Sequence, residues 1–545
     1  MIISKCIDDK HIYSAWRENG ERKFNLEAFD PYFFIEDSEF EHEKYSASKH
    51  ITRPFKYEKG DWVSLKGKPL KKVIVEKASD IYKARKMWNT TYEADVPFGF
   101  RYAIDKVDNM PEYKLRKWYW DMEWQQGGEH HDKITTIVMY DNYDKEYYQW
   151  AWFPNYEGEE YLHFDNEKEM IESFIRVMVD KDPDMLIAWF GLKFDLPKLL
   201  ERCCALDINP MLMSPINRIE GVKKAGNGFV FSKGESGFSP IQQPLGGRIT
   251  LNLDLAFERQ WNDSQRGTLP SMSLEYVSQT LFGEGKSKET IFEDPNEFYR
   301  RGWLEDTEAY LKYAIIDVEL LVRIDETNFC SEAIIALQRL LKAPFEACFY
   351  ASHMGSIYFM RNADWICKTG SKVDKREEYE GAMIYDPLSE GTNGLHLNVA
   401  AFDFAGLYPS MMIARNISWE TKSEEQTEFA VNIATPRDFS PVERKHMLYY
   451  KTDKLGLLPR AVLELKELRN EYKRLMRDAR ESGDDLEAVK WHNNQMAVKR
   501  LMASFYGIVA FQGFGWADVN LAASITASAR EAIRLAAFKA KEMKV

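Results

Sequence analysis

Apolar and polar positions change period several times along this chain, and each change marks a different element. Short runs such as Pro31-Tyr-Phe-Phe-Ile and Lys71-Lys-Val-Ile-Val, set between polar turns, predict strands of a small α+β domain over residues 1 to about 105. From about 106 to 335, strand-like and helical runs alternate. Lys133-Ile-Thr-Thr-Ile-Val-Met-Tyr reads as a strand, and Glu167 to Asp180 as an amphipathic helix. Strand character returns between 380 and 420. Residues 459 to about 510 are rich in Leu, Glu, Lys, Arg and Met, with one break at Glu481-Ser-Gly-Asp-Asp. That pattern predicts an antiparallel helical hairpin.

A chain of 545 residues exceeds what one hydrophobic core supports, so three or four domains are expected. No apolar run approaches the ~20 residues of a membrane helix, and the first ten residues lack a charged-then-apolar signal layout. Six cysteines show no metal-ligand spacing, which points to a reducing compartment, the cytoplasm (a host's cytoplasm for a viral protein). The net charge of −13 does not exclude nucleic acid as a partner, because phosphate contacts need only a local basic groove.

Candidate chemistry begins at Trp118-Tyr-Trp-Asp121-Met-Glu123-Trp. On a strand, alternation puts Asp121 and Glu123 on one face, where their repulsion calls for a cation or for solvent. Next, Asp184-Met-Leu-Ile-Ala-Trp-Phe-Gly-Leu-Lys-Phe-Asp195 is a buried strand, a glycine turn and the start of a helix. Asp195 could there be no more than a cap. Third, Tyr310-Leu-Lys-Tyr313-Ala-Ile-Ile-Asp317 places Tyr313 and Asp317 on one helix face, a spacing equally suited to a surface hydrogen bond. Each signal alone is weak.

In this order they resemble the three exonuclease motifs of family B DNA polymerases: Asp-x-Glu on a strand, Phe-Asp after a strand, Tyr-x-x-x-Asp on a helix. The resemblance implies an RNase H-like 3′–5′ exonuclease in which Asp121, Glu123, Asp195 and Asp317 hold two divalent cations, Mg²⁺ or Mn²⁺. Hard carboxylate oxygens suit such ions, and a pair about 3.5–4 Å apart serves both the attacking water and the leaving oxygen. Tyr313 would orient the water or the scissile phosphate. The family's usual Asn ahead of Phe-Asp is replaced by Phe190, which alters the single-strand path and not the chemistry.

A second set resembles the polymerase motifs of that family. Ala401-Phe-Asp403-Phe-Ala-Gly-Leu-Tyr408-Pro-Ser is similar to motif A. It implies Asp403 as a metal ligand, Phe404 through its carbonyl, the Gly406 and Leu407 amides on the triphosphate, and Tyr408 as a gate against the ribose 2′-hydroxyl. Glu378-Tyr379-Glu-Gly381-Ala resembles the Tyr-x-Gly-Gly/Ala element that contacts template, so Tyr379 and Gly381 are DNA-binding candidates. In the helical hairpin, Arg469 and Lys473 share a face at i, i+4, as do Gln495, Lys499, Ala503 and Tyr506. Cations so spaced are often just solvated charge. Here they resemble the fingers, with Arg469, Lys473 and Lys499 on the dNTP phosphates and Tyr506-Gly507 against the nascent pair. Ala503 stands where motif B has Asn, and Gly406 where motif A has Ser. Thr91 to Tyr102, Gly247 to Asp254 and Ser524 to Arg530 also look like family segments, so the resemblance covers nearly the whole chain.

The resulting expectation is a multidomain α+β protein. It comprises an N-terminal domain over 1–105 (with a return segment at about 336–378), the exonuclease over 106–335, a partial palm with motif A over 379–455, fingers with motif B over 456–512 and a palm helix over 513–545. Motif C, an Asp-Thr-Asp hairpin, is not present: after Lys499 the sole Asp is Asp518. The first reading is therefore the large subunit or fragment of a template-directed DNA polymerase with proofreading. It would act on primer–template DNA, single-stranded 3′ ends and dNTPs, and a C-terminal partner would bring motif C and the thumb. The alternatives are a freestanding 3′–5′ DNA exonuclease with a vestigial polymerase half, or a non-catalytic DNA-binding subunit.

Overall fold

The computed structural model describes residues 1–42, 55–152, 162–233, 236–263, 267–286, 290–363, 366–368, 378–383, 393–399, 403–511 and 513–543. They form two compact units, one of Met1–Phe29 with Val107–Phe349, the other of Asp30–Lys106 with Tyr350–Val545.

The first unit is built on a six-stranded mixed sheet in the order Leu162–Phe164, Glu146–Trp152, Ile134–Asp141, Lys117–Trp124, Met185–Ala188, Ile249–Asn252. Glu146–Trp152, Ile134–Asp141 and Lys117–Trp124 pair antiparallel, whereas Met185–Ala188 and Ile249–Asn252 continue parallel to Lys117–Trp124. This is the strand arrangement of an RNase H-like fold. The strand Lys117–Trp124 works on both faces because its side chains alternate. Trp118, Trp120 and Met122 enter the main core, where Trp118 and Trp120 lie 6.1 and 6.2 Å from the Phe174 ring of helix Glu167–Lys181. Tyr119, Asp121 and Glu123 take the other face, toward helix Thr307–Asn328.

That strand and that helix are clamped by a buried polar network. The Tyr119 hydroxyl donates to Asp325 Oδ2 at 2.7 Å. Ser331 donates its N–H to Asp325 Oδ1 (2.7 Å) and its hydroxyl to Oδ2 (2.5 Å). Lys117 Nζ donates to Ser331 Oγ (2.8 Å) and Glu332 Oε1 (2.7 Å). Phe329, at φ +52°, turns the chain from one helix into the next, Cys330–Leu341, and so brings Ser331 back beneath Asp325. The network fixes the axial register of the strand against the helix.

The second unit holds a five-stranded sheet in the order Ile366–Cys367, Lys56–Ser64, Pro69–Ile74, Tyr32–Glu36, Thr91–Tyr92, and a three-stranded one in the order Lys422–Ser423, Met447–Tyr450, Phe429–Asn432. The expected helical hairpin is present as Leu457–Glu481 and Asp485–Val509, turned at Gly483 (φ +77°) and capped by Asp484, which accepts from the Glu487 N–H. At the root of the first helix, three amides that helix geometry leaves without intrahelical partners find side-chain acceptors. Gly456 donates to Asn416 Oδ1 (2.8 Å), Leu457 to Glu420 Oε1 (2.5 Å) and Leu458 to Ser418 Oγ (3.1 Å). A Cβ at Gly456 would stand 2.5 Å from that of Ser418, so only glycine allows this approach.

One expectation is corrected. Between 380 and 420 no described residue is in a strand, and Leu407–Ala414 is a helix; 384–392 and 400–402 lie outside the described residues. Leu395, Leu397 and Val399 keep the period-two pattern but are 90%, 79% and 73% exposed. Among the described residues this segment has no ladder partner and is bent, with Asn398 at φ +57°.

Asp325→Ala would strip the acceptor from Tyr119 and Ser331 and remove the carboxylate facing Lys117. We expect a loss of about 2–4 kcal/mol in equilibrium urea unfolding, against about 1 kcal/mol for Tyr119→Phe. Equal, small effects would show that the clamp does not hold the strand.

Candidate functional site

The exonuclease set converges. Asp121 and Glu123 project from the strand toward Asp317 on helix Thr307–Asn328, and ligand oxygens of the three lie within 4.8 Å of one another. Asp195 opens the helix Asp195–Ala205, is buried, and its charge is felt by Asp121 and Glu123. Its Oδ2 has no hydrogen-bond partner, and neither has Oδ1 of Asp317. The bland reading of Asp195 as a helix cap is set aside because the N-cap position is Phe194 and no side chain caps this helix; Asp195 is its first residue.

Gathering four carboxylates here is electrostatically costly, and their proton affinities record it. Burial, then the charges of Asp195, Glu123 and Asp317, lift Asp121 well above the carboxylate range. Burial carries Glu123 to about 8, with Lys286 opposing and Asp317 and Asp195 adding to the rise. Asp195 reaches about 7 by burial, against the relief given by its own amide and by Lys286. Asp317 is also raised by burial, less so because Lys286 and Tyr313 hydrogen-bond to it.

Lys286 is the functional residue that the sequence reading missed. Its ammonium donates to Asp317 Oδ2 at 2.5 Å and to the Tyr313 hydroxyl at 2.6 Å. Burial works against its charge, but Asp317, Glu123 and Asp121 outweigh that and hold its proton above the usual lysine value. The Lys286 N–H is anchored on Glu275 Oε2 at 2.6 Å, and a side chain at Gly285 would collide with that same carboxylate. The available signal was a lysine after Gly-Glu-Gly, placed between the second and third carboxylate motifs. Tyr313 keeps its phenolic proton, because burial and the Glu123 charge push its ionisation far upward.

Donorless carboxylate oxygens in a buried cluster of oxygen ligands are what a hard divalent cation requires. The residues fit such a group: Asp121, Glu123 and Asp317 bring ligand oxygens together, and Asp195 lies close enough for its charge to act on Asp121 and Glu123.

The second unit brings the polymerase-motif residues into two groups. Gly406, at φ +70°, leads into helix Leu407–Ala414, with Asp403 and Phe404 exposed just before it. The Tyr408 ring lies 4.3 Å from that of Tyr506, whose hydroxyl is 3.2 Å from that of Tyr379. Arg530, fully buried on helix Val519–Glu542, donates to the carbonyls of Glu380, Gly381, Thr435 and Ile433, and so fixes the turn that carries Tyr379. In the hairpin, Arg469 Nε donates to Gln495 Oε1 at 3.2 Å. Arg469 first, then Lys499, depresses the Lys473 ammonium, so the three cations share one field. Gly507 faces open space.

A metal-free protein should register the carboxylate repulsion as pH dependence. Between about pH 4 and 8 the native state retains protons on Asp195 and Glu123 that the unfolded chain has released. Stability contributed at low pH is thus lost as pH rises through that window. In EDTA we expect the unfolding midpoint to fall from pH 5 to 8. Glu123→Gln should flatten the slope and stabilise by about 2 kcal/mol at pH 8, and Mg²⁺ should restore the unmodified protein. An unchanged slope in the variant would contradict the assignment.

Comparison with known proteins agrees with this geometry. Residues 356–543 match the model for DNA polymerase family B, and 118–242 match that for the family B exonuclease domain. Among curated relatives, the DNA polymerase of Thermococcus sp. (strain 9oN-7) is 27% identical over 95% of this chain and 65% of its own length. The DNA polymerase of Pyrococcus glycovorans is 28% identical over 97% of this chain and 66% of its own. The chain thus spans just under two thirds of the length of these relatives. The solved family B DNA polymerase of Pyrobaculum calidifontis shares the fold, with a TM-score of 0.71 at 18% identity over 99% of this chain and 71% of that one. With both models matched and the carboxylate cluster assembled as their order implied, the chain belongs to DNA polymerase family B.

Proposed function

We propose that this chain is the proofreading and nucleotide-selecting part of a template-directed DNA polymerase, a 3′–5′ exonuclease complete in itself joined to an incomplete polymerase site. The observation that carries the reading is the buried carboxylate cluster with two donorless oxygens, beside Lys286 and a protonated Tyr313. Asp121, Glu123, Asp195 and Asp317 would hold two divalent cations, Mg²⁺ or Mn²⁺, which when bound activate water and neutralise the leaving 3′-oxygen. Tyr313 donates its hydrogen bond to the water or to the scissile phosphate. Lys286 balances the carboxylates when the cluster carries no other cation, and its reach to Tyr313 sets where that hydroxyl points.

On the polymerase side, Asp403 and the Phe404 carbonyl would hold metal. The amides of Gly406 and Leu407, at the start of a helix, receive the triphosphate. Arg469, Lys473 and Lys499 neutralise charge as the primer 3′-hydroxyl displaces pyrophosphate. Tyr408, braced on the Tyr506 ring, closes the space a ribose 2′-hydroxyl would need. Tyr379, Gly381, Tyr506 and Gly507 lie along DNA. Asp518, the sole Asp after Lys499, spends its carboxylate on the N–H groups of Asn520 and Leu521. Polymerisation would draw its further palm carboxylates and its thumb from outside these residues, whether from a partner polypeptide or from further chain. Among the described residues no helix is long and apolar enough to cross a membrane, and all six cysteines are free, in keeping with a cytoplasmic setting.

The test is a 5′-labelled primer–template with Mg²⁺, with and without dNTPs. The chain alone should shorten the primer, with loss of at least roughly a hundred-fold in Asp121→Ala. Extension should need the added partner and vanish in Asp403→Ala. Extension by the chain alone would refute the incomplete palm; no shortening would refute the exonuclease.

A further inference from the structure

The Tyr313 hydroxyl has one proton to give, and its surroundings contest where that proton points. An ammonium can only donate, so the Lys286 contact at 2.6 Å takes a lone pair of the phenolic oxygen and leaves the Tyr313 proton to be placed elsewhere. Two acceptors are at hand. One is Asp317, to which Tyr313 hydrogen-bonds across one helical turn. The other is the hydroxyl of Tyr299, whose hydrogen bond adds to burial and to the Glu123 and Asp317 charges in keeping Tyr313 protonated. The Tyr299 and Tyr313 rings meet edge to face, with centroids 6.1 Å apart and planes at 79°.

The helix that carries Tyr299, Pro295–Glu305, is fastened along its length. At its start Asp294 accepts from the Asn296 N–H at 2.9 Å. Midway, the Arg300 carbonyl accepts from the Gln125 side-chain amide, and fully buried Trp303 donates its Nε1–H to the Trp152 carbonyl at 3.0 Å. Just past its end, Asp306 accepts from the Thr290 hydroxyl (2.8 Å) and the Ile291 N–H (2.9 Å). Phe298 wedges between this helix and Thr307–Asn328, 5.5 Å from the Tyr313 ring and 5.6 Å from that of Tyr310. Gly302 leaves it room, since a Cβ there would stand 2.9 Å from the Phe298 ring. These contacts fix the rotation of the helix about its axis, and with it the aim of half-buried Tyr299. For packing alone a phenylalanine would serve at this position; the hydroxyl is what reaches Tyr313.

We infer that Tyr299 is a positioning residue for the exonuclease step, drawing the Tyr313 proton away from Asp317 and aiming it where the attacking water or the scissile phosphate will accept it. The inference rests on the exonuclease reading and deepens it. With Lys286 on the oxygen and Tyr299 beside the proton, the hydroxyl is set before DNA arrives, and an incoming oxygen exchanges one neutral acceptor for another. Without Tyr299 the proton stays on Asp317, so Tyr313 spends its hydrogen bond on a carboxylate that the cation needs.

Shortening of a 5′-labelled single strand with Mg²⁺ is followed at limiting and at saturating DNA. Tyr299→Phe keeps the packed ring and should lower kcat about five-fold, the scale of one neutral hydrogen bond, with KM and the unfolding midpoint unchanged. Tyr313→Phe should lower kcat further. Added to it, Tyr299→Phe should have no effect, because Tyr299 acts only through that hydroxyl. A Tyr299→Phe variant as fast as the parent, an equal loss in both backgrounds, or a loss carried by KM or by a lowered midpoint would each overturn the inference while the exonuclease reading stands. A parent chain that shortens no DNA would refute the exonuclease reading, and this inference with it.

Discussion

Repulsion among four carboxylates gathered in one partly buried cluster is the constraint around which the first unit is organised. No arrangement of backbone alone would gather Asp121, Glu123, Asp195 and Asp317; something must pin each carrier. The strand and the helix are pinned to one another by the Asp325 network at one end. The Phe190 turn is pinned by Asp254 and Asn252. The loop bearing Lys286 is pinned by Glu275. Each fastening is a satisfied polar group sited away from the cluster, so the cluster itself can afford to be unsatisfied. That division, satisfied supports around a centre with two partnerless oxygens, leaves those oxygens open to a cation, whose binding would release the protons that the raised carboxyls retain.

Much of this was legible because it is local. Alternation on Trp118–Trp124 put two carboxylates on one face, and i, i+4 spacing put Tyr313 with Asp317; both periods survive any tertiary context. The helical hairpin was legible for the same reason, its break at Gly483 being a residue that tolerates φ +77°. Lys286 was not legible, because a loop has no period and its place is set by Glu275, eleven residues back on another element. Nor was the grouping of Met1–Phe29 with Val107–Phe349, since it rests on long-range partners such as the ion pair of Arg17 with Asp184. The stretch around Leu395 shows the converse: the right period is there, but among the described residues it has no ladder partner and forms no strand.

The polymerase-motif residues obey a different logic. Their cations are concentrated where the charges of Arg469 and Lys499 depress the Lys473 ammonium, an arrangement that a polyphosphate would relieve. Gln495, buried and hydrogen-bonded to Arg469, holds one of the three in place from the facing helix. Clustered like charge thus recurs in both units with opposite sign, carboxylates in the first and cations in the second.

The fastened root of the helical hairpin has a mechanical corollary. With the first two amides of Leu457–Glu481 and that of the preceding Gly456 anchored on Glu420, Ser418 and Asn416, the hairpin is a cantilever and not a door on a pin. Each 25-residue helix spans about 37 Å. A flexure of about 10° spread evenly along such a beam carries the free tip roughly 3 Å and moves Arg469, at mid-length, only about a quarter as far. Displacement in this arm is therefore graded from root to tip, and the charges move less than the tip does.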